Sequence, residues 1–351
     1  TQSTWGKIQH MALNSLSVYS AGFWNPPVCR SSLLRSSVVA ANSRIRCSAA
    51  ISRHQESSAQ FDLKSYWGAL IAEINNSLDL AVPMKYPEKI FEAMRYSLLA
   101  KGAKRAPPVM CIAACELFGA NRLAAFPTAC ALEMVHAASL IHDDLPYMDD
   151  DTSRRGQPSN HVVHGVDIAV LAGDALFPHG FYHIVSHTPF DLVPESRVVR
   201  VIAEIARSVG STGMAAGQFL DMEGDGNAVE FINEKIFGEM GECSAVCGGL
   251  LAGANDDEIE RLRRYGRVVG VLYQVVDDVL DAKAKQGGES GHDNRLRSYA
   301  SVYGADRAME MAEDLKRKAH YELRGFEKYG DRLLPLKCFV DYAFTRDFDM
   351  G

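Results

Sequence analysis

Two sets of carboxylates stand more than a hundred residues apart in this 351-residue chain. The first is His142-Asp143-Asp144-Leu145-Pro146-Tyr147-Met148-Asp149-Asp150-Asp151, the second Val276-Asp277-Asp278-Val279-Leu280-Asp281. Carboxylates gathered in apolar surroundings lose hydration and raise one another's pKa, so a chain that collects them calls for a counter-cation. Oxygen donors alone suit a hard divalent ion. Mg²⁺ in particular keeps several waters and bridges carboxylate to phosphate. The residue types therefore point to a site for Mg²⁺ with a diphosphate, with Asp143, Asp144, Asp149, Asp277, Asp278 and Asp281 as metal ligands.

Helices must position these groups. His136, Ser139 and Asp143 are spaced i, i+3, i+7 and share one helical face. Pro146 disrupts that helix, which predicts a turn that folds Asp149–Asp151 back beside Asp143. Asp277 and Asp281 lie one turn apart, and flanking Val275, Val276, Val279 and Leu280 predict a largely buried helix. Apolar periodicity predicts further helices over 61–80, 87–102, 107–119, 123–144, 167–187, 193–210, 228–253, 256–282, 303–326 and 331–346. Glycine and proline fall mainly between them, as at Gly156-Gln157-Pro158, Pro189, Gly224-Asp225-Gly226 and Gly287-Gly288. The expected fold class is all-α, a single large helical bundle over residues 56–351 around a deep central cavity.

Residues 1–55 differ in kind. They hold no Asp or Glu, are rich in serine, and take their charge from Lys7, Arg30, Arg35, Arg44, Arg46 and Arg53. That composition reads as a plastid transit peptide, with Met11 as a start and processing near Ser48. The body then carries 31 basic residues against 44 acidic ones, an acidic balance that argues against a nucleic-acid partner. No run of 18 apolar residues is present, so no transmembrane segment is expected. The eight cysteines form no CxxC zinc pattern, and a chain of this size needs no disulfide framework.

Asp143-Asp144-x₄-Asp149 followed by Arg154-Arg155-Gly156, together with Gln274-x₂-Asp277-Asp278-x₂-Asp281, resembles the trans-prenyl diphosphate synthase family over about residues 60–350. The likeness is strongest to plant geranylgeranyl diphosphate synthases. It implies the isoprenoid synthase fold and a reaction in which Mg²⁺ and both aspartate motifs bind an allylic diphosphate. Ionisation gives an allylic cation, which the double bond of isopentenyl diphosphate attacks. Metals and cations neutralise the departing diphosphate, and a dry cavity keeps water away. By position, the resemblance assigns diphosphate binding to Lys104, Arg105, His136, Arg154, Arg155 and Gln218, with Asp221 near the allylic site. Ala138 and Ser139, about one turn beneath Asp143, would set the depth of a chain-length pocket.

Three departures weaken the cationic half of that site. Pro107 in Gly102-Ala103-Lys104-Arg105-Ala106-Pro107-Pro108 stands where the family has a second arginine. The family's Lys-Thr pair falls on Ile236-Phe237, with Lys235 one residue, or about 100° of helix, out of step. Downstream of Asp281, the family's lysines are replaced by His292-Asp293-Asn294-Arg295-Leu296-Arg297-Ser298-Tyr299. A charged hydrogen bond contributes roughly 1.5–3 kcal/mol, and about 1.4 kcal/mol is tenfold in rate. A weak or silent active site follows, and no catalytic residue is assigned.

Cys111-Ile112-Ala113-Ala114-Cys115 and Cys243-Ser244-Ala245-Val246-Cys247 are similar to the CxxxC segments of the family's type II small subunits, or recruiting proteins. There such segments mediate association with a catalytic subunit, so Cys111, Cys115, Cys243 and Cys247 are expected to bind a partner. The preferred expectation is a plastid regulatory subunit that pairs with a geranylgeranyl diphosphate synthase large subunit, in the stroma or peripherally at the thylakoid through partners. The alternative is an autonomous Mg²⁺-dependent synthase that uses isopentenyl and allylic diphosphates. A terpene cyclase is disfavoured, because Lys104, His136 and Arg155 would then be idle.

Overall fold

The computed structural model describes residues 61–223, 229–286, 298–346 and 348; the leader expected over 1–55 lies outside them, as does the His292–Arg297 stretch. Helix α1 (Leu63–Ala81) is capped by Asp62, whose carboxylate accepts from the Ser65 amide at 3.1 Å. It buries Trp67, Leu70, Ile74 and Leu78, a stripe at helical spacing. Helix α2 (Glu88–Leu98) starts after Pro87, which holds the extended N-cap position. Helices α3 (Ala106–Leu117) and α4 (Phe126–Asp143) have proline in their first turns and are apolar on nearly every side, as befits the centre of a bundle.

A two-residue hairpin, β1 (Ser153–Arg154) with β2 (Gln157–Pro158), follows the first aspartate motif in antiparallel register. Arg155 and Gly156 form its tip, both with positive φ (53° and 73°), as a primed turn requires. Then come α5 (Asn160–His164), α6 (Val166–His187), α7 (Glu195–Val209), α8 (Met214–Glu223) and α9 (Val229–Asn233). A π-helical turn, Glu234–Gly238, leads into α10 (Glu239–Ala252), which Gly253 ends in the left-handed region. Helix α11 (Asp256–Gln286) carries the second aspartate motif, and α12 (Tyr299–Tyr303), α13 (Ala305–Leu323) and α14 (Leu334–Thr345) complete the chain.

Helix α4 packs mainly on α6, α10 on both α11 and α3, and α11 on α13. Small residues let the central helices touch backbone to backbone. A Cβ at Gly266 of α11 would collide with the Gly241 carbonyl of α10, and one at Gly248 with the carbonyl of Cys111 on α3. Glu242, fully buried on α10, ties this layer to its neighbours. It accepts from Arg207 of α7 at 2.6 Å, from Arg267 Nε of α11 at 2.7 Å, and from Arg263. Helix α6 is long and apolar enough, by length and composition, to cross a membrane, which the count of apolar runs did not anticipate. In this fold it lies against α4 and α2.

Candidate active site

The first aspartate motif closes on itself as the proline predicts. The Asp149 amide donates to the Asp143 carbonyl at 2.9 Å, and Asp150 takes φ of 52° with its amide on the Leu145 carbonyl at 3.1 Å. This places the two carboxylates within electrostatic reach. Burial, then the charge of Asp149, pushes the Asp143 carboxyl up to about 7, and the Gln218 amide of α8 donates to it. Asp144 is 3% exposed and turns the other way. Arg154 Nε donates to it at 2.6 Å, and the same guanidinium reaches Asp151 at 3.4 Å. The hairpin thus spends Arg154 on holding the motif together.

The second motif is divided in a similar way. Asp278 is 2% exposed and accepts from Gln274 at 2.6 Å and from the Tyr299 amide of α12 at 2.7 Å. Asp277 faces outward from α11 and pairs with Arg346, whose Nη2 lies 3.1 Å away. Val275, Val276 and Val279 are buried as expected, whereas Leu280 is 43% exposed, because that flank of α11 is not covered by another helix among the described residues.

The expected cations separate into different roles. Arg105 lies away from the site: its guanidinium is buried, with Nε on Asn75 Oδ1 at 2.9 Å, Nη2 on the Leu98 carbonyl at 2.8 Å, and an ion pair to Glu133. Its donors point into the core because α1, α2 and α4 converge on it, so here it ties those helices together. Lys104 remains on the site side, 5.5 Å from the Tyr273 ring centroid. Burial pulls its pKa down, but Tyr273 and Asp277 beside it more than reverse this. His136 is neutral. Burial, with Arg155, Arg154 and Arg105 acting the same way against Glu133, takes its pKa down to about 4. Arg155, half-buried at the hairpin tip, has its own pKa lowered by desolvation. A recess beside it is walled by Tyr96, Ala137, Leu140, Asp144, Arg154 and Arg155. Lys235 is diverted as its register predicts, reaching Glu239 at 3.2 Å from the π-turn and lying 5.5 Å from the Phe231 ring centroid.

Two further sets of expected residues are placed largely inside the chain. Ala138 is fully buried against the core, whereas half-buried Ser139 donates to the His136 carbonyl at 2.9 Å. The four motif cysteines are 0–1% exposed where α3 packs on α10 within one chain, and Cys111 lies near Cys243 and Cys247. Cys243 and Cys247 sulfurs lie 3.9 Å apart, and burial raises the Cys111 and Cys247 thiols well above their usual range. Small residues at i, i+4 do mark a close helix contact, but spacing cannot say whether the second helix is in the same chain. Arg346 was missed altogether: it lies 65 residues from the nearest motif aspartate, Asp281, and no spacing signals it.

The first motif suits a hard cation. Asp143 and Asp149 offer oxygen donors whose mutual repulsion and burial a divalent ion relieves. Among the described residues no three His, Cys, Asp or Glu side chains gather into a preformed metal cluster.

Residues 87–318 match the family model described as polyprenyl synthetase. The chain is 64% identical over 295 residues to the chloroplastic heterodimeric geranylgeranyl pyrophosphate synthase small subunit of Arabidopsis thaliana, covering 83% of this chain and 86% of that one. It is 44% identical over 329 residues to the large subunit 1 from the same plant, covering 90% of this chain and 86% of that one. Among solved structures, an FPP/GFPP synthase from Zymomonas mobilis superposes with a TM-score of 0.69 at 28% identity, covering 79% of this chain and 98% of the other.

Proposed function

The chain belongs to the polyprenyl synthetase family, and on that premise we propose that it is the small regulatory subunit of a plastid heteromeric geranylgeranyl diphosphate synthase. The observation that carries this reading is the contrast in identity, 64% to a small subunit against 44% to a large one. The site geometry agrees with it. Arg105 and Arg154 are committed within the protein, Lys235 serves Glu239, and Pro107 supplies no guanidinium. Among the described residues a diphosphate leaving group would meet few uncommitted cations, so the chain alone turns over weakly and a catalytic partner supplies the chemistry.

Mg²⁺, the ion the family generally uses, would sit at Asp143 and Asp149 and neutralise a diphosphate there. Lys104, His136 and Arg155 would orient the second diphosphate. Because the motif cysteines are internal, partner contact falls to another face. Leu171, Tyr182 and Val185 on α6 and Val199 on α7 are exposed apolar side chains, at 47%, 64%, 49% and 64%. Ala203 and Ala206 continue the α7 face with small exposed residues. Such a surface fits a second helical chain of the same fold. The cysteine seam then affects pairing indirectly, by setting how α3 and α10 support the layer beneath. The resulting complex acts in the plastid, in the stroma or at the thylakoid through its partners.

The test is to assay residues 57–351 for prenyl transfer with Mg²⁺, alone and with a plant geranylgeranyl diphosphate synthase large subunit, alongside size-exclusion chromatography. Little turnover alone, co-elution, and changed rate or product length on mixing are expected. Brisk turnover alone without co-elution would overturn the proposal.

A further inference from the structure

The second aspartate motif already has a cation. Arg346, the residue that ends α14, takes φ of 49° and swings its side chain onto α11. Its guanidinium carbon lies 3.3 Å from the Tyr273 ring centroid and 5.6 Å from that of Tyr342. Nη2 donates to the Tyr273 carbonyl at 2.7 Å, and Nε to the Ala343 carbonyl at 3.2 Å. The side chain is 8% exposed, and the carboxylate it meets is Asp277, at 3.1 Å. An arginine held by two backbone carbonyls and a stacked ring is preorganised for that position. Lys104 adds a second positive charge on the same side, close enough for Asp277 to raise its pKa.

We propose that Arg346 is a resident counter-ion that keeps a divalent cation from Asp277, so that the chain by itself binds metal at the first aspartate motif and not at the second. The physical basis is competition. The guanidinium occupies Asp277 Oδ1, its charge and that of Lys104 repel a divalent ion arriving at the same carboxylate, and releasing Arg346 leaves a buried charge unpaired. Asp278, 2% exposed, already accepts from Gln274 and the Tyr299 amide, so an ion there would compete with both donors. The inference deepens the small-subunit reading by giving the weak site a second cause besides missing lysines. It rests on the second motif being a metal-binding one, and its test measures metal binding, so it can fail without the pairing experiment failing.

Mn²⁺ binding to the full chain, followed by electron paramagnetic resonance, supplies the test. Asp277→Asn should leave the wild-type Mn²⁺ isotherm unchanged, because that carboxylate is already neutralised. Arg346→Gln should tighten binding at an additional site by about tenfold, Arg346→Lys should behave as wild type, and Arg346→Gln with Asp277→Asn should revert. Loss of an Mn²⁺ equivalent in Asp277→Asn, or identical isotherms for Arg346→Gln and wild type, would overturn the proposal. The first comparison does not depend on how the Arg346 variants fold.

Discussion

Replacing Arg105 by alanine separates a core role from a substrate role. The Arg105 and Glu133 side chains are 1% and 2% exposed. The substitution removes the ion pair, the 2.9 Å bond to Asn75 and the 2.8 Å bond to the Leu98 carbonyl. Glu133 already has Oε2 buried without a hydrogen-bond partner, so losing Arg105 leaves a buried carboxylate without its ion-pair partner. Breaking a buried pair on one side costs about 3–5 kcal/mol, a large part of the roughly 5–15 kcal/mol that separates native from unfolded chains. At about 2 °C per kcal/mol for a domain of this size, the melting temperature should fall by ~6–10 °C. The assay is thermal unfolding by circular dichroism, paired with urea titration. Replacing both partners, Arg105→Met with Glu133→Leu, should recover much of the loss, because the packed apolar pair leaves no buried charge. A melting temperature within about 1 °C of wild type for Arg105→Ala, with weakened diphosphate binding, would refute the core assignment.

Asp143 makes stability pH-dependent in an unusual sense for a carboxylate. Its folded pKa is raised to about 7, so the folded chain holds a proton that the unfolded chain has already lost, and its contribution to stability declines as pH rises from about 4 to 7. Asp143→Asn is expected to raise the melting temperature at pH 8 and to leave it nearly unchanged at pH 5; an equal effect at both values would contradict the burial and Asp149 repulsion described above. Cys247→Phe should overpack the α3–α10 crossing and destabilise the isolated chain by about 1–3 kcal/mol, read by urea unfolding. By contrast, Leu171→Glu with Val199→Glu should leave isolated-chain unfolding unchanged while abolishing co-elution with a large subunit. If the cysteine variant is fully stable and loses pairing alone, the seam is an inter-chain contact.

The chain's helical architecture was legible before any coordinates because long amphipathic or apolar segments state their period repeatedly. Helices α1, α4, α6, α11 and α13 fall within a few residues of the expected ranges. The turn that brings Asp149 to Asp143 was also legible, since Pro146 cannot continue the helix. Lys235 being out of step was visible in its register. By contrast, α5, α8 and α12 were missed; at five, ten and five residues they repeat too little of a period to stand out.

Tertiary structure alone decided which charge serves which partner. Residue type marks Arg105, Arg154 and Lys104 equally as cations, but α1, α2 and α4 enclose the first, the hairpin clamps the second onto Asp144, and the third is left beside Asp277. The cysteine pairs record close packing without recording that both helices belong to one chain. Arg346 reaches Asp277 across 69 residues of sequence, a contact made by the docking of α14 on α11. Local sequence sets periodicity and turns, because those depend on neighbouring residues. Charge pairing depends on distance and desolvation, which exist once the helices have packed.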